Sequence, residues 1–70
     1  MAYQLGQSVY VNAAGLSVLG RQGLVEFGDD CEVAGTVESQ TPDGKYLVRL
    51  DEEVQGVKTL VVEEQRVRPA

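Results

Sequence analysis

Histidine and tryptophan are absent from this 70-residue chain, cysteine and methionine occur once each, and aromatic residues make up 6%. Each absence removes a class of chemistry. Without histidine the commonest general base and zinc ligand is missing, and one thiolate cannot complete a four-ligand zinc site. Cys31 has no partner for an internal disulfide, so the fold relies on packing, and the residue is expected to be an ordinary half-buried thiol. No serine lies in a nucleophile elbow and no lysine carries the flanks of a desolvated amine, so the chain reads as a non-enzyme with no cofactor. No apolar run reaches about eighteen residues, the length that spans a bilayer. The N-terminus lacks the basic and continuous apolar regions of a signal peptide, so a cytoplasmic location is expected.

Positive charge is also scarce. Eleven acidic residues against six basic ones give a net charge of −5, a field that repels phosphate backbones and makes nucleic acid a poor partner. The acidic groups Asp29-Asp30-Glu32 and Asp51-Glu52-Glu53 lack the alternating ligand spacing of a calcium loop and read as solvated clusters. Every charged residue lies between Arg21 and Arg68; the first twenty residues carry none.

What remains is globular, with 43% hydrophobic and 24% charged residues, and at this length it forms a single domain over residues 1–70 near the lower limit for a self-sufficient core. The pattern is that of strands. Ser8–Val11 is β-branched and aromatic and follows Gly6, which suits a first strand entered from a turn. From Asn12 to Asp30, glycines at 15, 20, 23 and 28 exclude a stable helix and predict a long, partly hairpin-like loop, with Leu24–Phe27 as a short strand on its returning limb. Cys31–Gln40 alternates with Val33, Gly35 and Val37 on one face, and Gly35 is expected to mark a bulge or bend.

Thr41-Pro42-Asp43-Gly44 is a turn by composition. Beyond it Tyr46, Val48 and Leu50 form one apolar face of a strand. Asp51–Gly56 is expected to be a second, acidic turn, followed by a strand over Val57–Val62. Glu63-Glu64-Gln65 fits one helical turn, and Arg66-Val67-Arg68 a last strand stopped by Pro69.

The expected fold is therefore all-β, a small barrel of about five short antiparallel strands with a long first loop and one 3-10 turn before the last strand. Four stretches carry a resemblance: Leu5–Val11, the Gly35-Thr36-Val37 step, Tyr46–Asp51 and Val61–Arg68. Together they resemble the SH3-like superfamily, which includes the stromal subunit IV of photosystem I, the variable chain of ferredoxin-thioredoxin reductase, Tudor domains and KOW modules. The opening departs from the basic GDxVRV style of these families, having Gln7 and Tyr10. The resemblance implies a shape and a habit of binding through the first loop. One enzymatic group of this shape, the plasmid-type dihydrofolate reductases, builds a pore from a Gln-Ile-Tyr run; here Lys58-Thr59-Leu60-Val61 stands in the comparable hairpin.

Two function classes follow. In the first, a noncatalytic interaction module or accessory subunit docks on another protein, or self-associates, through the uncharged first loop. Leu16, Val18, Leu19 and Phe27 then supply apolar contacts and Arg21 the polar rim. In the second, a Tudor-like cage of Tyr10, Phe27 and Tyr46 beside Glu26, Asp29 or Asp30 binds a methylated cation.

Overall fold

The computed structural model describes residues 3–70. Seven strands and one 3-10 turn account for its regular structure. In chain order they are β1 (Ser8–Asn12), β2 (Ser17–Gly20), β3 (Gly23–Glu26), β4 (Glu32–Gln40), β5 (Tyr46–Val54), β6 (Val57–Val62), the 3-10 turn Glu64–Arg66, and β7 (Val67–Pro69). Five strands form an antiparallel sheet in the order β6-β5-β4-β1-β7, and β2 and β3 pair separately as a hairpin. The all-β class, the 3-10 turn before the last strand and the core face of β5 are as the pattern predicts.

The core is mostly valine. Val9 and Val11 of β1, Val37 of β4, Tyr46, Val48 and Leu50 of β5, and Leu60 and Val62 of β6 point to one side of a curved sheet, and Ala13, Val25, Phe27, Val57 and Val67 complete the cluster. Alternation places them there: in each strand the next residue faces outward, so one face can be apolar while the other remains polar. No polar or charged residue among those described is buried. Cys31 is half-buried and packs against this cluster.

Several boundaries differ from the sequence expectations, each for a physical reason. The first loop, expected to be partly hairpin-like, is a two-stranded hairpin with both limbs paired. Val18 and Val25 oppose one another and turn inward, Gly20 and Gly23 flank the two-residue reversal, and the returning strand begins at Gly23, one residue earlier than predicted. Gly35 is not a bulge; the register shift in β4 falls between Val37 and Ser39. Glycine is required at 35 by close approach, since a Cβ there would sit 2.6 Å from both the Arg49 carbonyl oxygen and Val48 Cγ1.

Asp51–Gly56 is not a turn. β5 continues to Val54, and the reversal consists of Gln55 and Gly56 with φ of 49° and 86°, both left-handed as a tight type I′ hairpin requires. Between the pairs Arg49↔Thr59 and Val54↔Val57, residues 50–53 of β5 stand against the single residue Lys58. The acidic triplet thus occupies a wide irregularity inside the strand. At the C-terminus Arg66 belongs to the 3-10 turn, and Pro69 does not end the strand but pairs with Val9. Proline is tolerated there because β7 is a sheet edge with one side unpaired.

The turn at 41–44 forms as its residues dictate. Gly44 adopts φ of 88° and donates its N–H to the Thr41 carbonyl at 2.9 Å. The Thr41 hydroxyl bonds the Asp43 carboxylate and accepts from the Lys45 N–H at 3.0 Å.

Candidate functional site

The β2–β3 hairpin divides the residues of the first loop between two faces. Leu16 and Val18 are half-buried against the core, and Phe27 is a core residue at 7% exposure. Phe27 therefore offers no contact surface, contrary to its expected part in the apolar contacts of the first loop. Leu19 points the other way, 83% exposed, and its cross-strand partner Leu24, absent from the contact residues expected from the sequence, is 66% exposed. Leucines directly opposite in a hairpin have Cβ atoms about 5 Å apart, so the two form one apolar surface. Period-two alternation from Val25 was the signal for Leu24, but it could be used only once the hairpin register was known.

The hairpin is fixed at its base and its tip. At the base Arg66 donates from Nη1 to the carbonyls of Asn12 and Ala14 at 3.1 and 3.0 Å, and the Phe27 N–H donates to the Leu16 carbonyl at 2.8 Å. At the tip, a Cβ on Gly20 would lie 3.0 Å from the Gln55 carbonyl oxygen and one on Gly56 would lie 2.9 Å from the Arg21 nitrogen, so the hairpin end and the β5–β6 turn meet backbone to backbone. Arg21 also donates from Nη2 to Glu53 Oε1 at 3.0 Å. The predicted rim residue is thus tied to its own chain. Beside the leucines runs a shallow groove of about 280 Å³ lined by Gln22, Gly23, Leu24, Val25 and Gln55, none of them charged.

The proposed cage residues do not meet. Tyr46 is 1% exposed and packs edge-on against Tyr3, ring centroids 5.5 Å apart, while Phe27 lies in the core. Tyr10 is half-buried, and its ring face is occupied by the Arg68 guanidinium at 4.6 Å from the centroid. Arg68 is held there by two hydrogen bonds to Glu32, at 2.8 and 2.9 Å, which keep the Glu32 carboxyl below its ordinary value of 4.5. A second hollow of about 310 Å³ lies where β4 and β5 diverge past the Gly35↔Leu50 pair, lined by Val33, Ala34, Asp51, Glu52 and Val54. Among the described residues no three histidine, cysteine or carboxylate side chains converge to hold a metal ion. No described helix is long and apolar enough to cross a membrane.

Fold and surface together define a small antiparallel all-β domain that presents two exposed leucines on a hairpin held at its base and tip. Compared with family models, characterised proteins and solved structures, the chain matches none.

Proposed function

We propose that this protein is a noncatalytic interaction module of SH3-like shape, an accessory subunit in the cytoplasm that docks on another protein through the outer face of its first hairpin. The observation that carries this reading is the Leu19–Leu24 pair, two large apolar side chains opposed across the hairpin and left in water. Burying a leucine side chain contributes about 1.5–3 kcal/mol, so covering both supplies the centre of a modest interface. The uncharged groove beside Leu24 gives a partner a place to insert an apolar side chain without desolvating a charge. The bonds that hold the hairpin at its base and tip limit the ordering cost of binding.

The strand order β6-β5-β4-β1-β7, with a hairpin inserted after β1 and a 3-10 turn before β7, supports the SH3-like shape. The single unpaired thiol of Cys31 fits a reducing compartment. The test is co-purification of the tagged chain from its native source, beside a Leu19→Asp/Leu24→Asp variant with an unchanged circular dichroism spectrum. The wild type is expected in an assembly with a defined partner and the variant alone. Recovery of the same assembly by the variant would sink the reading.

A further inference from the structure

The turn between β4 and β5 holds the one Asp-Gly step of the chain, Asp43-Gly44. An aspartate followed by glycine is open to attack by its own main chain, because glycine has no Cβ to shield the next nitrogen from the side-chain carboxyl. The turn itself dictates the pairing: position 44 has φ of 88°, which glycine alone adopts without cost. The site is also open to water. Asp43 is exposed, and a Cβ on Gly44 would meet nothing within 4 Å.

We infer that Asp43 is a site of isoaspartate formation that the native turn holds closed and that reacts when the β4–β5 hairpin opens. In the reaction the Gly44 nitrogen attacks Cγ of Asp43. The carboxyl gives up a hydroxyl and the amide its proton, which leave together as water, and a five-membered succinimide forms. Water then adds to the ring carbonyl that belonged to the main chain and breaks its bond to the Gly44 nitrogen. The chain now runs through Cγ, and the freed carboxyl is the former backbone carbonyl. Water is the only other reactant.

Three features of the turn oppose the first step. The Gly44 N–H is engaged by the Thr41 carbonyl at 2.9 Å, and φ is negative at Asp43, since Gln55 alone among the described non-glycine residues has a positive value. That bond with that sign makes a type I turn, which the left-handed Gly44 extends into a three-residue loop. Ring closure requires the Gly44 nitrogen to eclipse Cβ of Asp43, whereas ψ of about 0° at this position of a type I turn leaves the two roughly 120° apart around the Cα–C bond. Lastly, an ionised carboxylate has no hydroxyl to lose. The Thr41 hydroxyl above all, with the Lys45 ammonium 4.0 Å away, holds the Asp43 carboxyl below its ordinary value of 3.8. Thr41 also fixes the loop from outside, donating its N–H to the Lys45 carbonyl at 2.7 Å and accepting from the Lys45 N–H at Oγ1. Once formed, isoaspartate adds a methylene to the main chain of a three-residue loop. Loop length sets hairpin register, so the change obstructs return to the Gln40↔Tyr46 pairing and leaves a lasting record that the hairpin opened.

The test incubates the full chain in mildly acidic buffer, native and in concentrated urea, and follows isoaspartate at position 43 by mass mapping with a protease that cuts before aspartate and not before isoaspartate. The native protein is expected to react at least about tenfold more slowly than the chain in urea, the factor that one or two hydrogen bonds supply. Thr41→Val keeps the branched shape and removes the hydroxyl; with its circular dichroism unchanged, it should react about fivefold faster than native wild type, the worth of one hydrogen bond. Thr41→Ser should stay near the wild-type rate, and neither variant should change the rate in urea. Equal rates for wild type with and without urea overturn the inference. So does a chain in urea that forms no isoaspartate at 43, or a folded Thr41→Val no faster than wild type.

Discussion

At the scale of single residues, two positions are set by contacts that have no local signature. Gly35 lies so near the neighbouring strand β5 that any side chain strikes the Arg49 carbonyl and Val48, so Gly35→Ala should destabilise by about 1–3 kcal/mol, the range for overpacking a filled site. Urea denaturation compared with wild type measures it. Tyr46 presents the opposite case: its hydroxyl is buried with no hydrogen-bond partner among the described residues. Tyr46→Phe removes an unsatisfied polar atom while keeping the ring against Tyr3, and is expected to be neutral or to stabilise by up to about 1 kcal/mol, read from the same denaturation curves. Glu32 gives a pH signature. Hydrogen bonds and charge from Arg68 lower its folded pKa, so its contribution to stability is present above the unfolded value of 4.5 and is lost as pH falls through the depressed folded one. Both groups are exposed, and the effect on stability is accordingly small. A carboxyl-detected NMR titration should place the Glu32 midpoint below 4.5, and Arg68→Ala should return it there.

At the scale of elements, the β5–β6 hairpin is closed by backbone conformation and by what touches it. Gly56 has φ of 86°, and a Cβ there would approach Arg21 within 2.9 Å, so Gly56→Ala faces both strain and collision. It should cost more than the roughly 1 kcal/mol of a left-handed alanine alone and should loosen the tip of the β2–β3 hairpin. Hydrogen exchange at Gly20 and Arg21 checks the second effect, since a turn change confined to β5–β6 would leave those amides unaltered. Turn chemistry at Thr41–Gly44 was legible because proline and glycine occupy the positions that a turn demands. Gln55-Gly56 was masked by the acidic triplet before it, which has turn-like composition yet stays in the strand as a wide irregularity. Alternation in Tyr46–Leu50 was equally plain, since period two is a property of the chain itself.

At the scale of the whole molecule, the thirteen buried apolar residues among those described hold the fold with no disulfide and, among the described residues, no buried ion pair, so surface changes that leave them alone should leave the fold alone. Leu19→Asp/Leu24→Asp is such a change. Its thermal midpoint should stay within a few degrees of wild type, as expected of solvent-exposed substitutions within about 0.5 kcal/mol. A large fall would mean that the leucines serve the fold and not a partner. By the same logic Phe27→Asp, which also lies in the first loop, should unfold the protein, because Phe27 is part of the core. The contrast between the two separates surface from core within one uncharged segment, a division that composition alone could not draw.

The sequence by itself determined the all-β class, the alternating core face of β5, the 41–44 turn and the short helical turn before the last strand. These rest on period-two patterning and on the φ preferences of proline and glycine, which act between near neighbours. Only the tertiary structure decided the register of the β2–β3 hairpin, that Phe27 turns inward while Leu19 and Leu24 turn outward, and that Gly35 sits where β5 leaves no room for a side chain. Such features depend on which strand lies next to which, a matter of contacts between residues far apart in the chain.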